Sequence, residues 1–559
     1  MICFLSNRHR IALQSRRMAE NQLYYGDNLD VLRHYVKDES VDLIYLDPPF
    51  NSHQDYNVLF AEKDGTRSAS QIMAFEDTWE WDTESERAYH QTVEQGGKVA
   101  EALIAFRTLL NNSDMMAYLA MMAPRLIELH RVLKVTGSIY LHCDPTASHY
   151  LKMLMDAVFG PEKFRSEIIW KRSSAHSDTK QGRKQHGHIH DVLLFYTKSE
   201  EWTWNPLHTP YDEEYTRQFY KYVEQGTGRR YRLGDLTGPG GAAKGNPAYE
   251  VMGVTRYWRY SREGMEKLIT EGRVVQTRPG AVPAYKRYLD EMLGVALQDL
   301  WADINPIGAQ AQERLGYPTQ KPEALLERII ESSSNESDVV LDPFCGCGTA
   351  VASAQSLNRR WIGVDITHQA IGLIRKRLHD KFGDAVSETY EVHGEPTDLA
   401  GARKLAEEDK FEFEAWALSR VGARHAGQVR RGADQGIDGR LYFHDDKSGK
   451  SKQIILSVKS GHVTHSQVRD LRGVLDREKA EIGVFITLEE PTKPMLKEAA
   501  SAGFYKSSHI EREFPRLQII TIDELLKGES IQYPQMLDVT FKRAPRANSR
   551  QARKQDELF

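Results

Sequence analysis

Cysteine is scarce, with four among 559 residues. No paired spacing links those four, which excludes a disulfide-stapled scaffold and suits a reducing cytosol, so a cytoplasmic location is expected. Long apolar runs are also missing. None approaches the roughly twenty residues needed to cross a bilayer, so no membrane partner is expected. Nor is there an excess of one charge: 74 Lys and Arg stand against 79 Asp and Glu, a net of −5, and any basic surface must be local. The first seventeen residues carry several arginines without a sustained apolar core, so a secretory signal is not supported. Met18 followed by Ala19 and Glu20 reads as a natural start, with residues 1–19 a disordered leader. The length allows two or three domains with sizeable cores.

Two short stretches stand out against this ordinary composition. Asp47-Pro48-Pro49-Phe50 follows VDLIYL, and Asp342-Pro343-Phe344-Cys345-Gly346-Cys347-Gly348-Thr349 follows DVVL. Both apolar runs read as buried parallel strands. An Asp carboxylate and a prolyl carbonyl at a strand end can each accept one hydrogen of an amine, and consecutive prolines stiffen the turn that aims them. Phe50 offers a flat face for a planar ring. In the second stretch, a glycine-rich turn lets the backbone approach a ligand, with a helix N-terminus behind it. The strand RWIGVD follows and ends at Asp365, where an acid typically binds ribose hydroxyls. GCGT lacks the third glycine of a dinucleotide fingerprint. Cys345 and Cys347 have no further ligand at metal spacing and read as tolerated loop residues.

Together, in this order, the two stretches resemble the catalytic and cofactor motifs of the amino-group DNA methyltransferases, in their circularly permuted β group. The resemblance implies a Rossmann-like α/β fold and S-adenosylmethionine as cofactor. It implies Asp47, Pro48, Pro49 and Phe50 at the target amine and base, the base being rotated out of the duplex. Asp342, Phe344, Gly346, Gly348, Thr349 and Asp365 would face the cofactor. Asp27, in Tyr24-Tyr25-Gly26-Asp27-Asn28, resembles the segment facing its adenine. Thr319, Gln320 and Lys321, in YPTQKP, resemble the segment capping its methionine end. GSIYLHCD and HIHDVLLFYTKS resemble further strands of the sheet, where Asp144 and His190 are open to either a functional or a structural reading. The helix-like MMAYLAMMAPRLIELHRVLK is more simply core.

This organisation assigns residues 20–200 to a catalytic half, 201–300 to an insertion, and 301–384 to a cofactor half. The polar excursion after Phe50, including FEDTWEWD, is open to a substrate-contacting or a plain surface reading. Between Glu214 and Asp290 there are fourteen Lys or Arg against eight Asp or Glu, interleaved with aromatics and a glycine cluster, GDLTGPGGAAKG. Basic residues supply phosphate contacts, and the insertion stands where the permuted family carries target recognition. A linker over 385–410 precedes a further α/β domain, 411–540, and a basic tail, 541–559.

That domain resembles the Mrr-like branch of the PD-(D/E)xK nucleases, through Gly432-Ala433-Asp434-Gln435-Gly436-Ile437-Asp438-Gly439 and the following QIILSVKSG. The resemblance implies Asp438 as a Mg²⁺ ligand, Lys459 as the catalytic lysine, and Glu412 or Glu414 as a further ligand. Ser457 stands where an acid or Gln is usual, which weakens the metal site. The expected activity is therefore a DNA methyltransferase acting on adenine N6 in double-stranded DNA, in a restriction–modification context, with or without Mg²⁺-dependent cleavage. The alternative is an N4-cytosine enzyme whose C-terminal domain only binds DNA. Members of the permuted group are often homodimers, an arrangement that nothing in the sequence itself marks.

Overall fold

Six consecutive buried residues, Val41–Leu46, form the strand at the centre of the larger sheet. The computed structural model describes residues 20–49, 81–173, 186–308, 311, 313–315, 317, 319–425, 436–445, 451–507, 512–534 and 537–538. The leader, the excursion after Pro49, and the basic tail lie outside the described residues. The chain divides into two compact units, Pro206–Gln298 and the remainder. Among the described residues, no helix is long and apolar enough to cross a membrane.

Nine strands make the main sheet: β1 (Asn21–Tyr25), β2 (Val41–Leu46), β3 (Leu133–Cys143), β4 (Phe164–Trp170), β5 (Asp191–Thr197), β6 (Leu300–Trp301), β7 (Val339–Asp342), β8 (Arg360–Asp365) and β9 (Tyr390–His393). Their order is β6-β4-β5-β3-β2-β7-β8-β1-β9. Only β5 runs against its neighbours. β2, β5 and β7 are buried throughout, as expected of strands covered on both faces. This is the α/β fold the motifs implied, with the catalytic strand preceding the cofactor strand in the chain.

One polar residue inside the apolar run VDLIYL carries structural weight. Asp42 is buried, and its carboxylate accepts from Lys134 Nζ at 2.7 and 2.8 Å and from the Val339 N–H at 2.9 Å. It thereby ties β2 to β3 and β7. Around the sheet, helix α1 (Asn28–Tyr35) is capped by the Asp27 side chain. Helix α2 (Asp114–Val132) is buried along most of its length, as its sequence predicts. Helix α3 (Glu323–Ser333), α4 (Thr349–Ser356) and α5 (His368–Phe382) belong to the cofactor half.

The C-terminal sheet runs β10 (Arg424–His425), β11 (Gly439–His444), β12 (Lys452–Lys459), β13 (Ile482–Thr487), β14 (Leu517–Thr521), and the short strand Leu537–Asp538 pairs with β11. Alternate side chains of β12 enter different clusters, Ile454, Leu456 and Val458 on one face and Ile455 on the other. Helix α6 (Lys410–Arg420) leads into this sheet, and its Ser419 packs against Gly372 of α5.

The 206–298 unit has its own small core, built on Leu236, Tyr249, Trp258 and Met265. Trp258 is fully buried and its indole N–H donates to the Tyr249 carbonyl at 2.7 Å. A four-stranded antiparallel sheet and the hairpin Ala248–Val251/Val254–Tyr257 surround it. The basic residues fall into two sets. Arg229, Arg273 and Lys286 are paired with Asp290, Glu291 and Glu224, whereas Lys244 and Arg256 are exposed and make no ion pair among the described residues.

Candidate functional site

β2 and β7 are hydrogen-bonded neighbours, with Leu43 opposite Val340 and Ile44 opposite Leu341. The loops that follow them therefore emerge side by side at the carboxyl edge of the sheet, where open α/β sheets bind ligands. A cavity of about 330 Å³ opens there. Asp47, Pro48 and Pro49 line it from one side, and Asp342, Phe344, Gly346, Thr349 and Asp365 from the other. Asp27 and the segment Thr319, Gln320 and Lys321 complete the wall. Gly348 does not line the cavity. It begins α4 at φ +75°, and a Cβ there would come within 2.7 Å of Ile374, so this glycine serves helix packing. Phe50 lies outside the described residues.

Carboxylates crowd this cavity. Asp365 is buried, and its oxygens accept from the Gly346 N–H (2.8 Å), the Thr367 N–H (2.9 Å) and the Thr367 hydroxyl (2.9 Å). Burial pushes its carboxyl up to about 6 despite these bonds. Asp342 is also raised, by burial and then by the charges of Asp47 and Asp365, although the Phe344 N–H at 3.0 Å acts in the other direction. Asp47 is held by Lys321, whose ammonium donates to its Oδ2. Lys321 thus sits on the acid expected at the target amine, joining the 319–321 segment to the turn after β2.

Several contributors were not apparent from the sequence. Arg125, on the helix expected to be only core, is 6 % exposed. Its Nε donates to Asn28 Oδ1 and its Nη2 to Asp27 Oδ2, both at 2.7 Å. Asn28 in turn donates to the Pro343 carbonyl at 2.8 Å. One guanidinium therefore fixes Asp27 and, through Asn28, the turn after β7. Its only signal was an arginine in the apolar middle of the helix. Tyr45 also lines the cavity and hydrogen-bonds His142 Nδ1 at 2.8 Å. His142 Nε2 reaches Asp191 at 3.2 Å, and Asp191 pairs with Arg172 at 2.9 Å. Arg172 and Asp191 line a second cavity of about 240 Å³, which shares Tyr317, Thr319, Gln320 and Lys321 with the first. Asp144 caps the helix Pro145–Phe159 by accepting from the Thr146 N–H, and His190 lines neither cavity. Cys345 and Cys347 are buried, and no group of three metal-ligating side chains exists among the described residues.

The nuclease-like residues are not assembled as expected. Asp438 Oδ2 accepts from Ser457 Oγ (3.0 Å), the Val458 N–H (2.6 Å) and Lys459 Nζ (3.0 Å). Glu414 instead pairs with His425 at 3.0 Å, and Glu412 accepts from the Tyr25 hydroxyl of the main sheet at 2.9 Å. Neither acid joins Asp438, so the expected Mg²⁺ ligand set is corrected: helix α6 directs both carboxylates elsewhere. Of the turn before Asp438, Gly432 to Gln435 lie outside the described residues.

The family model described as DNA methylase matches residues 41–376. The chain belongs to this DNA methylase family. A second model, described as NACHT-associated inactive Restriction Endonuclease 1, matches residues 410–527. Among curated relatives, the type II methyltransferase M.EcaI of Enterobacter cloacae is 28% identical over 66% of this chain and 71% of its own length. The DNA adenine methyltransferase YhdJ of Escherichia coli is 24% identical over 69% of this chain and 92% of its own. Against other relatives, the chain spans about half their length or less. A putatively assigned DNA modification methylase from Thermus thermophilus, solved with S-adenosyl-L-methionine, aligns over 66% of this chain and 97% of its own, at 15% identity and TM-score 0.30.

Arg125→Met would leave Asp27 and the Asn28 carbonyl without their buried donor. The expected cost is about 2 kcal/mol of stability, read from the midpoint of urea denaturation, whereas Arg33→Met on the exposed side of α1 should change it little.

Proposed function

We propose that this DNA methylase transfers the methyl group of S-adenosylmethionine to the N6 amine of adenine in double-stranded DNA. The observation that carries this reading is the opening of Asp47 and Pro48 into the same cavity as the glycine turn and Asp365. The cavity fits the cofactor chemically. Four acids, Asp27, Asp47, Asp342 and Asp365, surround a space containing one lysine and one arginine, and a cationic sulfonium would favour the charged forms of the two that burial raises, Asp342 and Asp365. A side chain at Gly346 would meet the Tyr317 ring at 3.2 Å, so glycine there lets the turn lie against Tyr317, which lines the same cavity. When bound, the cofactor supplies an electrophilic methyl on sulfur.

The protein's own residues prepare the nucleophile. An exocyclic amine donates its lone pair into the ring and attacks poorly. Hydrogen bonds from its two hydrogens to the Asp47 carboxylate and the Pro48 carbonyl turn the nitrogen toward tetrahedral geometry, with the lone pair aimed at the methyl. Lys321 holds the Asp47 carboxylate in place for this role. The second cavity, reached across Lys321, is the side from which an extruded base would enter. The choice of adenine rests on the DPPF form of the motif and on the relative named as an adenine methyltransferase. An N4-cytosine target is the second reading, favoured only by the motif's shared chemistry.

Target recognition is assigned to the 206–298 unit, supported by the cations Lys244 and Arg256, which no acid among the described residues neutralises. The C-terminal domain is assigned a DNA-binding, non-cleaving role, since Lys459 and Ser457 satisfy the one candidate ligand. The context is restriction–modification, by likeness to the named relatives.

Incubation of the protein and unmethylated DNA with labelled S-adenosylmethionine, followed by nucleoside analysis, should yield N6-methyladenine. N4-methylcytosine would overturn the base assignment. Asp47→Ala should lower turnover by more than about a hundredfold while the cofactor still binds. Lys244→Ala with Arg256→Ala should weaken DNA binding and reduce the slope of log K against log salt by about two.

The pH dependence follows from Asp365. Its folded carboxyl holds a proton more tightly than the unfolded one. Its charge therefore destabilises the ligand-free protein above pH 6, and that cost disappears as the pH falls toward the ordinary carboxylate range. Ribose hydroxyls need the charged acceptor, so cofactor affinity should fall about tenfold between pH 7.5 and 5. Calorimetry on Asp365→Asn should show weak binding with that slope removed.

A further inference from the structure

The acid expected to serve a nuclease metal is turned the other way. Glu412 lies in the first turn of α6, where the C-terminal domain begins, and its Oε2 accepts from the Tyr25 hydroxyl at 2.9 Å. The same oxygen lies 3.7 Å from His368 Nε2. Tyr25 and His368 are stacked, with ring centroids 3.7 Å apart and planes within 11°. The far side of the imidazole is also held, with Nδ1 at 3.1 Å from Glu395, which reaches Arg375 at 3.4 Å.

Both gripped residues adjoin the cofactor cavity. Tyr25 is the last residue of β1 and stands in register with Asp365 of β8. The next residue, Gly26, donates its N–H to the Asp365 carbonyl at 3.0 Å, and Gly26 and Asp27 line the cavity. His368 begins α5 just after Asp365 and Ile366, which line it as well. Burial, then the charge of Glu412, keeps the Tyr25 hydroxyl protonated and therefore a donor. Ser419 of α6 seats against Gly372 of α5, so the contact extends along the helix.

We infer that Glu412 is a positioning residue for the cofactor site, through which the nuclease-like domain holds the β1 and β8 ends that carry Asp27 and Asp365. The domain then acts on methyl transfer as a brace for the cofactor's ribose and adenine end. This inference rests on reading the cavity as an S-adenosylmethionine site. Glu414, two residues further along the same helix, pairs with His425 inside its own domain and supplies the control.

The test is calorimetric titration of the full chain with S-adenosylmethionine, beside methylation kinetics. Glu412→Ala and Tyr25→Phe should each weaken binding by about three- to tenfold, and the double variant should be no weaker than the worse single one. Glu412→Gln, which keeps an acceptor oxygen, should stay within about twofold of wild type, as should Glu414→Ala. The loss should fall on KM for the cofactor more than on kcat. Unchanged affinity in Glu412→Ala, or additive losses in the double variant, would overturn the brace alone. Failure of the wild-type chain to bind the cofactor would overturn the reading of the cavity and the brace with it.

Discussion

The parallel pairing of β2 with β7 is the constraint on which the site depends. A loop at a strand end can point only where the sheet edge lets it. Leu43 opposite Val340 and Ile44 opposite Leu341 put Asp47 and Asp342 on one edge, although they are far apart in the chain. The Asp42 carboxylate reinforces that pairing from within, by accepting from Lys134 of β3 and from the Val339 backbone. A buried acid in a central strand is destabilising unless paired. Here the Val339 N–H lies on β7, the strand whose alignment with β2 the site requires, and Lys134 lies on β3 at the other side of β2.

Convergence of the strand ends has an electrostatic consequence. Asp47, Asp342 and Asp365 are brought into one poorly hydrated space, and two of them are pushed toward protonation, Asp365 by burial and Asp342 by burial and then by the charges of Asp47 and Asp365. The counterweights are few: the Lys321 ammonium, and the backbone N–H groups of Gly346, Phe344 and Thr367. A fold under selection for stability alone would dilute such a cluster. A cationic ligand of the kind proposed would supply the missing positive charge.

What could be read from the sequence was whatever depends on neighbours in the chain. The two motifs, their buried strands and the buried helix α2 follow from apolar runs and local turn chemistry. The pairs across the fold did not. Arg125 read as part of a core helix because Asp27 and Asn28 lie nearly a hundred residues away. Tyr45, His142 and Asp191 each read as an ordinary strand residue, and only the β2-β3-β5 order makes them a hydrogen-bonded chain. Gly348 was placed at the ligand because glycines in such turns often approach one, but the αL backbone and Ile374 account for it without a ligand. Glu412 and Glu414 were misassigned for a related reason: spacing shows that acids lie on a helix, but not which neighbour its face meets.

In the C-terminal domain the expected metal ligand is already engaged by other donors. A carboxylate binds a hard cation through lone pairs free of other donors. At Asp438 one oxygen already accepts from a hydroxyl, a backbone N–H and an ammonium. The serine in place of the usual acid is a donor where a second ligand should be, so the substitution does more than remove a ligand: it helps satisfy the remaining one. Restoring an acid at position 457 would set two carboxylates against one lysine, with Glu412 and Glu414 still engaged elsewhere. Helix α6, which carries both of those acids, is packed against α5 of the methylase core. That packing and the Tyr25 hydroxyl together hold Glu412 on the methylase side of the helix.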